Sequence, residues 1–204
     1  MKVSDKHEKI IRAAVKVFAK KGFFSARISD IAKVAKVADG TIYLYFNNKF
    51  DILISIFDIE IGKLITQIKQ QIDKEEDPRK MLEIYALRHL SLIKENRGLA
   101  EIIQMELRQN NKLIKEYRTT KFSEYVDIIS TIIRNGQEKG IFNKKVRPGI
   151  AKRAFFGALD EMARLWILSS KPSYDITETA GQISSIFLCG IVDKNAPEVK
   201  KCDF

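Results

Sequence analysis

Gly40, Thr41, Tyr43, Tyr45 and Lys49 lie within one short stretch of chain, and their chemistry suits contact with a polyanion. Gly40 has no side chain, so the backbone there can approach a partner surface closely. Thr41 offers a hydroxyl and a methyl, which match a base edge and the methyl of thymine. Tyr43 and Tyr45 carry phenolic hydrogens that can be donated to phosphate oxygens. Lys49 adds a charge at the expected start of a helix, whose N-terminus already favours an anion. The charge balance points the same way. Residues 1–50 hold 11 Lys/Arg against 4 Asp/Glu, whereas the remaining 154 residues hold 25 against 22. A net charge of +10 concentrated at one end suggests a polyanionic partner for that end. A solvated basic face is the competing account, and the local pattern has to decide between them.

The elements that must position these side chains are helices. No sustained period-two alternation occurs, and helical periodicity runs through nearly the whole chain. The first helix is expected over Asp5–Lys21, with Ser4 as N-cap and Gly22 as stop. Ile10, Ile11, Ala14, Val15, Val17 and Phe18 form its buried stripe. The segment Ile28–Phe46, ISDIAKVAKVADGTIYLYF, predicts a helix over Ile28–Ala35, a tight turn at Lys36-Val37-Ala38 and a second helix over Asp39–Tyr45. Ile31, Ala32 and Ala35 can face the first helix, with Val37, Ile42 and Phe46 completing a small core. A trihelical unit with such a turn is a helix-turn-helix, whose second member lies in the major groove. Six further helices are expected: Lys49–Asp73, Arg79–Lys94, Gly98–Arg108, Asn111–Lys139, Pro148–Ser169 and Asp175–Asp193. The fold class is therefore all-α, about nine helices in total.

The pattern of residues 10–53, with AVKVFAKKGF and ISDIAKVAKVADGTIYLYFNNKFDIL, resembles the TetR family of bacterial repressors. The resemblance implies DNA contacts by Arg27 and Ser29 near the second helix, by Gly40, Thr41, Tyr43 and Leu44 on the recognition helix, and by Tyr45 and Lys49 on the phosphate backbone. Members often have Thr where this chain has Arg27 and Ser where it has Ala38, so a usual N-cap is missing from each helix. Arg27 then serves as a phosphate contact, and Asp39 is expected to cap the recognition helix, since a carboxylate facing DNA would repel phosphates. The implied division is 1–48 for DNA binding, 49–194 for a helical ligand-binding and dimerisation domain, and 195–204 for a flexible tail.

The larger domain carries many aromatic and apolar residues on its middle helices, most of them ordinary core. The surplus suffices to line a long pocket. MELRQNN (Met105–Asn111) and FGALDEMARLWIL (Phe156–Leu168), with VADGTIYLYF and KFDILISIF, resemble the fatty-acid-metabolism repressors of the family. Those are released from DNA by long-chain acyl-coenzyme A. The resemblance implies that Arg108 meets the coenzyme A phosphates, where a guanidinium fits. Met105 and Gln109 lie beside it, Gln109 toward the adenosine or pantetheine part, while Phe122, Phe156, Met162 and Trp166 line the acyl tail. An intramolecular pair with Glu101 or Glu106 is the competing reading of Arg108. His89 reads as a hydrogen-bonded wall residue. The effector is expected between helices four to eight, shifting the fourth helix and with it the recognition helices of a dimer.

No nucleophile elbow, phosphate loop or Ser/His/Asp set accompanies the carboxylates Glu101, Glu106, Asp160 and Glu161, so no enzyme is expected. Cys189 and Cys202 lack CxxC spacing, and with His7 and His89 they make no metal set, so no cofactor is expected beyond the effector. Met1–Lys9 lacks the apolar run of a signal peptide, and no uncharged apolar stretch reaches membrane-spanning length. The expected location is cytoplasmic. Expected partners are palindromic operator DNA, a small-molecule effector and a second copy of the chain. The homodimer would form through Ala154, Ala158 and Leu165 on the eighth helix and Ile183, Ile186, Phe187, Gly190 and Ile191 on the ninth. The alternative effector class is a lipophilic or cationic drug, sensed by a regulator of efflux, which would call for buried carboxylates facing the pocket.

Overall fold

The computed structural model describes residues 3–95, 97–101, 120–169, 174–194 and 196. Its elements are α1 (Val3–Lys21), α2 (Ile28–Ala35), α3 (Asp39–Tyr43), α4 (Lys49–Ile72), α5 (Pro78–Glu95), α6 (Arg97–Glu101), α7 (Thr120–Glu138), α8 (Pro148–Leu168) and α9 (Ile176–Ile191). Among the described residues there is no strand, only one isolated antiparallel bridge between Phe142 and Val192. The all-α expectation holds. Met105, Arg108 and Gln109 lie outside the described residues, as do most of the expected 195–204 tail and the start of the helix expected from Asn111.

Two compact units emerge. One gathers the described residues of Met1–Gly62 and Asn96–Thr120, the other those of Lys63–Glu95 and Lys121–Phe204. The division falls inside α4 at Gly62, so that one helix contributes to both units.

In the first unit α1 packs on α2, and α2 on α3. Ile10, Ile11, Ala14, Val17 and Phe18 are buried along α1, meeting Ile31 and Ala32 of α2, Ile42 of α3, and Phe46. Ala35 and Val37 are half-buried at the edge of this core. α1 begins at Val3, so Ser4 is inside the helix rather than its cap. Gly22 ends α1 at φ +74, its N–H donating to the Phe18 carbonyl at 2.8 Å. α2 ends on Lys36 in the left-handed region, φ 56 and ψ 48, and Val37 N–H donates back to the Ala32 carbonyl at 3.1 Å. Glycine usually holds such a position, and a lysine there is strained.

In the second unit α5 packs against α8 and α9 through Met81, Leu82, Tyr85, Ala86, His89 and Leu90. α5 starts one residue earlier than expected, at Pro78, whose missing N–H and fixed φ suit a first helical position. α8 has Pro148 in its first turn for the same reason, and α9 is capped by Asp175, whose carboxylate accepts from Thr177 and Glu178 N–H. Those hydrogen bonds lower the Asp175 pKa. Past Gly140, the chain folds Phe142 onto α7: the Ile141 and Phe142 N–H groups both donate to the Gly136 carbonyl.

Candidate functional site

The polar and glycine positions singled out for DNA contact all sit on the first unit, and most are accessible. Arg27 and Ser29 are exposed at the start of α2, and Gly40 is exposed on α3. Tyr43 and Leu44 present 56% and 81% of their surface to solvent, a large apolar exposure beside the turn that ends α3. Thr41 and Tyr45 are half-buried. The Tyr45 ring stands edge-on to His7 of α1, with centroids 6.1 Å apart, so α1 fixes where its phenol can reach. α3 is shorter than expected: it closes at Tyr43, and Tyr45 and Phe46 N–H both fall back on the Ile42 carbonyl at 3.0 Å.

The caps differ from expectation in an instructive way. Ala38, not Asp39, is the N-cap of α3, and no side chain caps it. Asp39 is instead the first helical residue, where a carboxylate meets the positive end of the helix dipole. The first turn of α3 thus has no side-chain cap, and its Thr41 N–H donates to the Ala38 carbonyl at 2.9 Å. At α2, Asp30 accepts from the Arg27 N–H at 3.0 Å, the returning half of a capping box. A guanidinium has no acceptor and cannot supply the other half. Asp30 also receives the Lys21 ammonium at 2.7 Å, which ties the end of α1 to α2 and lowers the Asp30 pKa.

Lys49, for which the resemblance implies a phosphate contact, is half-buried in this structure. Its ammonium donates to three carbonyls, those of Phe23, Phe24 and Ala26, at 2.6, 3.0 and 2.8 Å. It also lies over the Phe23 ring, 4.6 Å from the centroid. The cap of α4 is Asn48, whose side-chain oxygen accepts from Phe50 and Asp51 N–H. Neither feature was drawn from the sequence, although Asn before a periodic apolar run is a usable cap signal.

The second unit holds an aromatic cluster with a polar centre. Tyr85, Tyr125 and His89 lie nearly parallel, with Tyr85–Tyr125 centroids 5.1 Å apart and His89–Tyr125 6.0 Å apart. His89 Nδ1 and Tyr125 Oη share a hydrogen bond of 2.6 Å, while Tyr85 Oη donates to the Tyr125 carbonyl at 3.4 Å. Burial pushes both phenols to higher pKa, so they stay protonated. Phe156 packs edge-on against His89, Tyr125 and Phe122, at 5.4, 6.1 and 5.6 Å. Two of the tail-lining candidates, Phe122 and Phe156, are therefore brought together, with Phe122 37% exposed at the edge of the cluster. Trp166 is buried farther along α8 in the stripe of Phe155, Leu159 and Ala163, and its indole N–H has no hydrogen-bond partner among the described residues. Met162 is half-buried on the same helix. Glu101, a candidate partner for Arg108, pairs with Arg97 at 3.2 Å.

α8 and α9 also carry an exposed face of apolar and small residues. Ile150, Leu165, Leu168 and Ile186 are 64%, 46%, 53% and 63% exposed. Among the described residues, a Cβ on Gly157, Gly181 or Gly190 would meet nothing within 4 Å, so packing among them does not require glycine there. Of the dimer candidates, Ile191 is instead buried in its own unit, and Phe187 packs on Phe155 at 4.7 Å.

Comparison with known proteins assigns both regions. Residues 10–56 match the bacterial regulatory proteins of the tetR family, and residues 57–190 match the C-terminal region of YsiA-like proteins. The chain is 33% identical over 189 residues to the fatty acid metabolism regulator protein of Bacillus subtilis, covering 93% of this chain and 97% of that one. Among solved structures it is similar to the fatty acid degradation regulator FadR of Bacillus halodurans, at 36% identity and a TM-score of 0.82. It is also similar to FadR of Bacillus subtilis in complex with stearoyl-CoA, at 33% identity and a TM-score of 0.84. Each alignment covers 90% of this chain and 98% of the other.

Proposed function

Since the chain belongs to the TetR family of bacterial regulators, with a YsiA-like C-terminal region, we propose that it is a repressor of fatty-acid metabolism genes that long-chain acyl-coenzyme A releases from DNA. It acts by binding, not by catalysis. The observation that carries the effector assignment is the aromatic cluster of the second unit, in a chain one-third identical to a regulator solved with stearoyl-CoA.

The chemistry fits the ligand. A long acyl tail needs a dry apolar surface, and each buried CH₂ stabilises the complex by about 0.8 kcal/mol. Phe122 and Phe156 supply such a surface, Met162 and Trp166 extend it along α8, and Arg108, with Met105 and Gln109, serves the coenzyme A end. The His89–Tyr125 hydrogen bond satisfies the imidazole Nδ1 and the Tyr125 hydroxyl beside the tail.

DNA is bound by the first unit. Gly40, Thr41, Tyr43 and Leu44 read the major groove, and Arg27, Ser29 and Tyr45 fix the register on the backbone. The exposed α8–α9 face pairs with its copy, so that a two-fold dimer presents two recognition helices to a palindromic operator. Within the second unit, α4 is tied to α7 by Lys69–Glu124 at 2.9 Å and to α5 by Arg88–Gln71 at 3.1 Å. A ligand that rearranges α5 and α7 acts on α4, and α4 begins in the DNA-binding unit. The ligand-bound state then disfavours the DNA-competent one.

A second reading keeps the repressor and changes the effector. Asp160 is a carboxylate only 4% exposed on α8, the type of group a sensor of lipophilic cations would use. Calorimetric titration separates the two with stearoyl-CoA, with coenzyme A alone and with a lipophilic quaternary amine. The acyl reading predicts tight binding of stearoyl-CoA only. Binding of the amine, abolished by Asp160→Asn, would replace it with the second reading.

A further inference from the structure

Lys49 sits where electrostatics alone would not put it. It is the first residue of α4, and a cation at a helix N-terminus faces the positive end of the dipole. The structure shows what compensates. Gly22 at φ +74 turns the chain out of α1, and Phe23 is buried against Phe18 and Phe50, at 5.2 and 4.9 Å. With Phe23 fixed, the loop points the carbonyls of Phe23, Phe24 and Ala26 at one spot, and the Lys49 ammonium fills it. An ammonium has three N–H donors, and here each has a carbonyl within 3.0 Å. The Phe23 ring face adds a cation–π contact at 4.6 Å.

We propose that Lys49 is a positioning residue that holds the 23–26 loop, and with it Arg27 and Ser29, in the DNA-binding geometry, and that it makes no phosphate contact. The proposal rests on the DNA-binding reading above. The argument is one of adjacency. Ala26 precedes the N-cap of α2 by one residue, so a clamp on its carbonyl fixes where α2 begins and where the Arg27 side chain starts. The ammonium charge is directed to backbone oxygens rather than outward. Because Lys49 is also the first residue of α4, the clamp gives α4 a point of purchase on the α1–α2 loop. A displacement of the first turn of α4 by about 1 Å takes at least one of these bonds out of hydrogen-bond range.

The test compares wild type, Lys49→Met and Lys49→Arg, each held well below its measured melting temperature. Operator affinity is measured across a salt series, and amide hydrogen exchange is measured in the free protein. A residue that contacts phosphate contributes about one counterion per contact to the slope of log K against log salt. The clamp predicts that Lys49→Met loses tenfold or more in operator affinity with an unchanged salt slope, and that exchange rises selectively at residues 24–29. It also predicts no rescue by Lys49→Arg, whose planar fork cannot serve three converging carbonyls. A shallower slope for Lys49→Met, or wild-type affinity in Lys49→Arg, would overturn it in favour of a phosphate contact. Unchanged exchange at 24–29 would overturn it without reference to DNA. Failure of wild type to bind a specific operator would instead defeat the DNA-binding reading, and the exchange arm keeps the two failures apart.

Discussion

Gly40→Ala should move stability and DNA binding in opposite directions. Gly40 is the second residue of α3 and is exposed, and a Cβ built on it meets nothing within 4 Å. Its backbone is ordinary helix, with none of the positive φ seen at Gly22 and Gly140. Nothing among the described residues therefore requires glycine. Alanine exceeds glycine in helix propensity by about 0.5–1 kcal/mol in a helix interior. A position so near the start of a five-residue helix should realise the lower end, about 0.5 kcal/mol, or roughly 1–2 °C in melting temperature. At the DNA surface the same methyl intrudes where the backbone must dock. Holding the helix off by about 1 Å breaks hydrogen bonds of the 2.7–3.2 Å class. Losing one charge-assisted bond of about 1.5–3 kcal/mol corresponds to about tenfold or more in affinity. The assays are thermal unfolding and fluorescence anisotropy with labelled operator. Wild-type affinity in a well-folded Gly40→Ala protein would refute the docking of α3 argued above.

Four other substitutions test the rest of the framework. Gly136→Ala drives its Cβ into the Phe142 ring, which is 1% exposed. It should destabilise the second unit by about 1–3 kcal/mol, and Phe142→Leu in the same chain should recover part of that loss in a denaturant melt. Lys36→Gly relieves the left-handed turn between α2 and α3 and should stabilise by about 1 kcal/mol, read by chemical denaturation. Tyr125→Phe removes the 2.6 Å bond to buried His89 Nδ1 and should destabilise by about 1–3 kcal/mol, measured by calorimetric melting. Ile186→Asp puts a charge on the exposed α9 face and should convert the dimer to monomer in light scattering while leaving the helical circular dichroism intact; a persistent dimer would exclude this face.

The parts of this fold legible in the sequence are those set by local rules. Gly22 stops α1, the apolar spacing of Ile31, Ala32, Ile42 and Phe46 marks the small core, and the Lys36-Val37-Ala38 turn falls as expected because too few residues separate two periodic runs for any other connection. The all-α class and the α8 and α9 spans follow from the same periodicity, with Pro148 and Asp175 marking their starts. What was hidden depends on convergence in space. The carbonyls that receive Lys49 lie 23–26 residues away and leave no trace in side-chain type. His89 and Tyr125 meet across 36 residues, each from a separate helix. Asp is a good N-cap by type, yet Ala38 takes that position in α3 and Asp39 is its first helical residue.

The most direct test of the account is the equilibrium affinity of the purified protein for the DNA upstream of its own gene, with and without saturating stearoyl-CoA. The account predicts specific, salt-sensitive binding that weakens by tenfold or more when the ligand is present, while coenzyme A alone has no effect. Unchanged operator affinity at saturating ligand would contradict it.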